Sequence, residues 1–108
     1  MSDNEKRVAD YYGLDAQINQ SMEEMAELIQ ALNKYRRSNG TKPLILNDVI
    51  EEIADVEIML DQLKYLLHIS QKRVDGVKDY KVNRAFLRID AEKGGYSSIE
   101  EVAKCTED

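Results

Sequence analysis

The chain has few of the residues that bend, break or cross-link a protein. It contains one Cys, one Pro and five Gly in 108 residues, and it contains no Trp. The single cysteine, Cys105, excludes an intramolecular disulfide and fits a reducing compartment. No run approaches the roughly 18 apolar residues of a transmembrane helix, and the N-terminus lacks the apolar stretch of a secretory signal. We therefore expect a cytoplasmic protein with no membrane partner.

The composition is typical of a folded helical domain. Hydrophobic residues make up 43% of the chain and charged residues 33%, and the length predicts one domain spanning residues 1–108. The net charge of −6 disfavours binding to nucleic acid, and we expect no nucleic-acid partner. A polyphosphate could still bind if a metal ion or a local basic cluster offset the negative charge.

Apolar residues recur at helical spacing, and no alternating strand pattern of useful length is present. The sequence predicts an all-α bundle of two long antiparallel helices, a third helix and a short C-terminal helix, completed by dimerisation. The predicted helices are 14–37 with a short helix before Gly13, Asn47 to about Ser70, Val77–Ala91, and a short helix capped by Ser97 or Ser98.

Two acidic residues interrupt the apolar pattern of the second helix. Glu52 stands at the centre of the apolar stripe, three residues after Val49 and four before Val56, and Asp55 lies one turn further on. A carboxylate in a position that a bundle fills with Leu costs several kcal/mol unless it is paired or bound to a cation. The stripe comprises Val49, Val56, Met59, Leu60, Leu63, Leu66 and Leu67.

The first helix carries a matching acidic pair. Glu24 and Glu27 lie along the border of its apolar stripe, and residues three apart project from the same helix face. Two such pairs facing each other offer up to four carboxylates, which suit Mg²⁺, with Mn²⁺ as an alternative. The competing interpretation is a buried ionic network with Lys or Arg partners across a dimer interface. The stripe comprises Ile18, Met22, Met25, Ile29 and Leu32.

Both acidic segments resemble one family. Residues 23–27, GluGluMetAlaGlu, and residues 51–55, GluGluIleAlaAsp, are similar to the paired motifs of the MazG-like all-α nucleoside triphosphate pyrophosphohydrolases. The resemblance covers roughly residues 14–90 and implies Mg²⁺-dependent hydrolysis of a (deoxy)nucleoside triphosphate to the monophosphate and pyrophosphate. It also implies that the four acidic residues are the metal ligands and catalytic residues, and that the protein is a homodimer or a dimer of dimers.

Candidate substrate-binding residues lie on the first and third helices. Lys78, Lys81 and Arg84 form a cationic stripe on the third helix. In the family that the chain resembles, residues at this point of the sequence contact phosphates. An ordinary solvent-exposed helix face explains the stripe equally well. Gln20 lies on the metal side of the first helix, where an amide could contact substrate or simply border the helix. The cluster Lys34, Arg36 and Arg37 closes the first helix, where cations favour the negative end of the dipole.

Two other functions remain open from the sequence. One is the related phosphoribosyl-ATP pyrophosphohydrolase, which uses similar carboxylate-bearing helices. The other is a non-catalytic helical interaction module, in which the acidic residues pair with basic ones and no turnover occurs.

Overall fold

The computed structural model describes residues 1–94, and every regular element in that range is a helix. Helix α1 spans Asp3–Ser38, α2 spans Pro43–Leu66 and α3 spans Gln71–Glu92. The all-α prediction is confirmed for this range. The predicted C-terminal helix and Cys105 lie outside the described residues. Across residues 1–94, no helix is both long enough and apolar enough to cross a bilayer.

Helix α1 begins at a capping box and is broken at Gly13. The Ser2 hydroxyl accepts a hydrogen bond from the Glu5 amide at 3.2 Å, and the Glu5 carboxylate accepts one from the Ser2 amide at 2.8 Å. Gly13 takes φ 83° and ψ 172°, a conformation that essentially only glycine adopts. The break separates a short N-terminal segment from the long remainder of α1, as the sequence predicts.

Helix α2 begins at Pro43, so the predicted start at Asn47 is wrong. Proline lacks an amide hydrogen, but the first position of a helix needs none, and the fixed φ of proline already suits a helix. The predicted extension to Ser70 is also wrong, because α2 ends at Leu66. His68 adopts a left-handed φ of 57°, and the Ile69 amide donates to the Lys64 carbonyl at 2.8 Å, which closes the helix end.

Helix α3 begins at Gln71, earlier than the predicted start at Val77. The Ser70 hydroxyl caps it by accepting a hydrogen bond from the Arg73 amide at 3.2 Å. Gly76 lies inside the helix, since a single interior glycine costs only about 1 kcal/mol relative to alanine. Helix α3 belongs to a second compact unit that begins at Ser70, whereas α1 and α2 form the first, Met1–Ile69.

Helices α1 and α2 pack against each other in antiparallel order. The Gln17 amide nitrogen donates to the Gln62 side-chain oxygen at 2.6 Å, and further along α1 Glu24 lies beside Asp55. The contacting residue numbers rise along α1 from 17 to 24 and fall along α2 from 62 to 55, so the two helices are antiparallel.

The segment before Gly13 does not continue this register. The Glu5 carbonyl accepts a hydrogen bond from Gln62 at 3.1 Å, and the Asp10 carboxylate accepts one from the Tyr65 hydroxyl at 2.8 Å. Both residues therefore lie against a single turn near the end of α2. Because the helix breaks at Gly13, the segment before it changes direction and packs against the end of α2.

The surface that α1 turns toward α2 is not its apolar stripe. The buried residues of α1 include Gln17, Ser21 and Ala31, whereas Met22 is 57% exposed and Ile29 is 61% exposed. Only four apolar side chains are buried in the described chain, and they are Ala9, Ala31, Val49 and Met59. The contact between the two helices is thus unusually polar, and a long apolar face of α1 remains open to solvent in the single chain.

Candidate metal centre

The polar residues of the α1–α2 contact recur every seven residues. Gln17 and Glu24 are seven apart on α1, and Asp55 and Gln62 are seven apart on α2. Seven residues make nearly two full helical turns, so each pair lies on one face. Because Gln17 stands opposite Gln62, the antiparallel register brings Glu24 opposite Asp55. Glu52 precedes Asp55 by one turn and projects from the same face.

Three of the four predicted carboxylates converge. One oxygen from each of Glu24, Glu52 and Asp55 lies within 4.8 Å of the others, and all three residues are half-buried. Glu27 is exposed and lies outside this group, although its charge is close enough to Glu52 to raise the pKa of that carboxyl. We call Glu24, Glu52 and Asp55 the acidic trio, with Glu27 flanking it.

Two oxygens of the acidic trio are shielded from solvent without a hydrogen-bond partner. These are Oε2 of Glu24 and Oε2 of Glu52, and no residue in the described range donates to either. Glu27 lies close enough to Glu52, and Glu24 close enough to Asp55, for a hydrogen bond between the two side chains when one member of the pair is protonated. The other oxygen of Glu24 accepts a hydrogen bond from the Gln20 amide at 2.8 Å, which fixes the orientation of this carboxylate.

No cationic side chain within residues 1–94 forms an ion pair with the acidic trio or Glu27. Lys64 and Asp61 form an ion pair at 3.3 Å within α2, away from the acidic trio. The alternative interpretation, a buried ionic network with Lys or Arg partners across a dimer interface, stays a prediction.

The shared burial of these acids disfavours their charged forms. Burial raises the pKa of Glu52, and the charges of Glu27, Asp55 and Glu24 raise it further. Burial also raises the pKa of Asp55, with a smaller effect from Glu24. The fold therefore holds the carboxylates of the acidic trio close together although their negative charges repel one another. A bound cation would remove both penalties.

A cleft of about 380 Å³ opens beside the acidic trio. Glu24 and Asp55 lie at its edge, and the N-terminal segment of α1 supplies Val8 and Tyr12 to one wall. Gln20 also lines it, so the predicted substrate-binding residue faces both the cleft and Glu24. The remaining lining residues are Ala16, Gln17, Ile58, Met59 and Gln62.

Gln62 is a residue of this region that the sequence analysis missed. It is 1% exposed, accepts a hydrogen bond from Gln17 and donates one to the Glu5 carbonyl. It therefore joins both segments of α1 to α2 at the base of the cleft. The sequence does contain a signal for it, because Gln62 repeats the helical position of Asp55 one heptad later.

The predicted cationic residues lie on α3. Lys78, Lys81 and Arg84 are all exposed there, and the Arg84 guanidinium lies 5.8 Å from the centre of the Tyr80 ring. Their role in binding phosphate stays a prediction.

Comparison of the chain with protein-family models, curated proteins and solved structures finds no match. The resemblance of residues 23–27 and 51–55 to MazG-like proteins therefore stays a prediction from the sequence.

Proposed function

We propose that the acidic trio, flanked by Glu27, binds Mg²⁺, with Mn²⁺ as an alternative, and that the chain hydrolyses a (deoxy)nucleoside triphosphate to the monophosphate and pyrophosphate. The observation that carries this proposal is the pair of shielded carboxylate oxygens on Glu24 and Glu52 that have no hydrogen-bond partner in the described chain. Buried charged oxygens of this kind are costly unless they bind something.

The donor set fits a hard divalent cation. All the converging ligand atoms are carboxylate oxygens, and the group contains neither His nor Cys, the residues that favour zinc. Mg²⁺ commonly binds one or two protein carboxylates while keeping waters and sharing substrate phosphates. A trio open to a cleft on one side supports this mode of binding better than an enclosed structural site.

The cleft and the sequence resemblance together favour a nucleotide as the substrate. Ligand pockets usually have volumes of about 300–1,000 Å³, and the cleft beside the acidic trio falls within that range. A nucleoside in the cleft would direct its phosphates toward Glu24 and Asp55 at the edge. The paired motifs at residues 23–27 and 51–55 suggest the specific reaction, since they resemble those of MazG-like pyrophosphohydrolases.

In this reaction, water adds to one of the two phosphorus atoms that flank the α–β bridging oxygen. The bond from that phosphorus to the bridging oxygen breaks, and the products are the monophosphate and pyrophosphate. A divalent cation held at this site would supply positive charge that neutralises the phosphates and stabilises the leaving group. Glu24, Glu52 and Asp55 would hold the cation, and Gln20 would keep Glu24 in position through its hydrogen bond. Glu27 is exposed and lies beside Glu52 but outside the trio, so we assign its carboxylate to accept a proton from the attacking water.

A second copy of the chain would complete this unit as a homodimer, or as a dimer of dimers. The apolar stripe of α1 is mostly exposed, and the exposed residues Ile50, Ile53 and Leu60 extend the apolar surface on α2. Within residues 1–94, four buried apolar side chains make a very small core, and self-association would bury more apolar surface. Ile29→Glu should therefore convert the wild-type dimer to monomer in sedimentation-velocity runs, whereas the exposed neighbour Gln30→Glu should not.

The direct test is pyrophosphate release from a panel of ribo- and deoxynucleoside triphosphates, with phosphoribosyl-ATP included, in Mg²⁺, in Mn²⁺ and in EDTA. We expect metal-dependent release from at least one canonical triphosphate. Release from phosphoribosyl-ATP alone would favour the related pyrophosphohydrolase instead. If no nucleotide releases pyrophosphate with either metal, the enzyme proposal is abandoned and the helical interaction module becomes the better account.

A further inference from the structure

The turn between α1 and α2 is strongly basic in an acidic chain. No Asp or Glu occurs from Leu28 to Asn47, yet this stretch contains Lys34, Arg36, Arg37 and Lys42, while the whole chain carries a net charge of −6. We call these four residues the basic turn. None of them forms an ion pair with a residue in the described range 1–94.

Three of these cations line one cavity. Lys34 and Arg37 are three residues apart near the end of α1, and Lys42 comes from the start of α2. Together with Ser38 and Ile45 these exposed side chains line an open surface cavity of about 240 Å³. Three unpaired cations that converge from two helices repel one another, and an anion between them would relieve that repulsion.

The turn that brings them together is held by its own hydrogen bonds. The Ser38 hydroxyl donates to the Tyr35 carbonyl at 2.8 Å, and the Thr41 hydroxyl donates to the Ser38 carbonyl at 2.6 Å. Gly40 adopts φ 70°, and a Cβ at this position would lie 2.8 Å from the Tyr35 hydroxyl oxygen. The backbone that carries Lys34, Arg37 and Lys42 is therefore held in place before an anion binds, which lowers the entropic cost of binding.

Stabilisation of the helix dipole does not explain the whole cluster. Arg36 and Arg37 lie in the last turn of α1, where cations interact favourably with the negative end. Lys42, however, occupies the N-cap of α2, the positive end of that helix, and its side chain makes no capping hydrogen bond. A cation in that position is locally unfavourable, whereas an anion bound beside it would be favoured by both the lysine and the helix end.

We propose that the basic turn binds the phosphate groups of a small, free, multiply charged anion such as pyrophosphate or a nucleotide. A nucleic-acid backbone is a poorer fit, because four cations on a chain of net charge −6 would neutralise few phosphates. The cavity lies about ten residues along both helices from the acidic trio, or about 15 Å at 1.5 Å per residue. It is therefore a separate site, and the proposal does not rest on the proposed hydrolysis.

The test is a titration of the ¹⁵N-labelled full chain with inorganic pyrophosphate, in EDTA and at constant ionic strength, followed by amide chemical shifts. Because EDTA removes divalent metal, pyrophosphate cannot bind at the acidic trio through a metal ion. We expect saturable shifts confined to residues 34–45, and binding about tenfold weaker or more in Lys34→Gln/Arg37→Gln/Lys42→Gln. The matched variant Lys72→Gln/Arg73→Gln/Lys93→Gln changes the same charge elsewhere and should bind as the wild type does. The single variant Lys42→Gln, which alters the fold least, should weaken binding in the same direction.

Several outcomes would overturn the proposal. They are shifts that do not saturate, equal shifts with sulfate at the same ionic strength, or shifts that persist unchanged in both the triple variant and Lys42→Gln. A lipid headgroup offers the same phosphate chemistry, so sedimentation with phosphatidylserine vesicles is the second arm. Cosedimentation that free pyrophosphate does not reverse would assign the basic turn to a membrane surface and contradict binding of a free anion.

Discussion

Gln62 offers the sharpest test of how the helices are joined. Its side chain is 1% exposed, and Gln62→Leu would remove the 2.6 Å bond from Gln17 and the 3.1 Å bond to the Glu5 carbonyl. The variant leaves the Gln17 side-chain amide buried without a partner, at a cost of about 1–3 kcal/mol, and it loses the bond to the Glu5 carbonyl, which contributes about 1 kcal/mol. The added apolar burial of leucine recovers about 1–2 kcal/mol. We therefore expect a net loss of about 1–2 kcal/mol in the free energy of unfolding.

The assay is urea unfolding followed by circular dichroism at fixed protein concentration. Gln30→Leu serves as the control, because Gln30 is exposed on the same helix pair, and it should change the stability by less than about 0.5 kcal/mol. The double variant Gln17→Leu/Gln62→Leu removes both members of the amide pair. It should cost about 1 kcal/mol less than the sum of the single variants, because neither amide is then left unpaired.

Two results would contradict this prediction. In the first, Gln62→Leu lowers the free energy of unfolding no more than Gln30→Leu does, while the dependence on urea concentration is unchanged. In the second, the loss in the double variant equals the sum of the losses in the two single variants. Either result would mean that the amide pair does not join α1 to α2 energetically.

Three further predictions follow from the same helix pair. Gly13→Ala should destabilise the protein by about 1–3 kcal/mol in thermal unfolding, since φ 83° with ψ 172° strains any other residue while the added Cβ meets no atom within 4 Å. The hydrogen bond to Asp10 raises the pKa of Tyr65, so the folded state holds the tyrosine proton more tightly than the unfolded state does. In urea unfolding at several pH values, the wild type should be more stable than Tyr65→Phe below the ordinary tyrosine pKa. This advantage of the wild type should disappear as pH rises through the raised pKa. An advantage that persists at high pH would contradict this. Burial and neighbouring charges raise the pKa of Glu52, so in EDTA the free energy of unfolding of the wild type should fall relative to that of Glu52→Gln as pH rises through the raised pKa. A wild type that instead gains stability relative to Glu52→Gln over this pH range would refute the electrostatic account.

The sequence predicts the helical class well but not the helix boundaries. Periodic apolar residues and the glycine at position 13 indicate the long helices and the break in α1. The predicted starts of α2 and α3 are wrong because proline and glycine ordinarily interrupt helices, whereas Pro43 and Gly76 lie inside them. Position decides their effect, since Pro43 stands where no amide is needed and Gly76 costs too little to end a capped helix.

The sequence also predicts that four carboxylates converge, because a carboxylate inside an apolar stripe on α2 must face the neighbouring helix. The structure brings together Glu24, Glu52 and Asp55 but leaves Glu27 outside the group. The sequence does not predict which face of α1 meets α2. That face lies one residue before the apolar stripe, through Gln17 and Ser21, and periodicity alone favours the stripe itself. A hydrophobic pattern does not record the hydrogen bond between Gln17 and Gln62, so the sequence does not indicate this polar face.

The central claim is that the acidic trio is a catalytic metal site, and Glu52→Gln tests it most directly against Glu51→Gln. Glu51 is the adjacent exposed residue on α2, so the two variants make the same chemical change one position apart. With Mg²⁺ and the best nucleotide of the panel, we expect Glu52→Gln to lower kcat/KM for pyrophosphate release by about 100-fold, or about 2.7 kcal/mol, with an unchanged helical spectrum. Glu51→Gln should keep activity near that of the wild type. Equal activity in both variants would contradict the account.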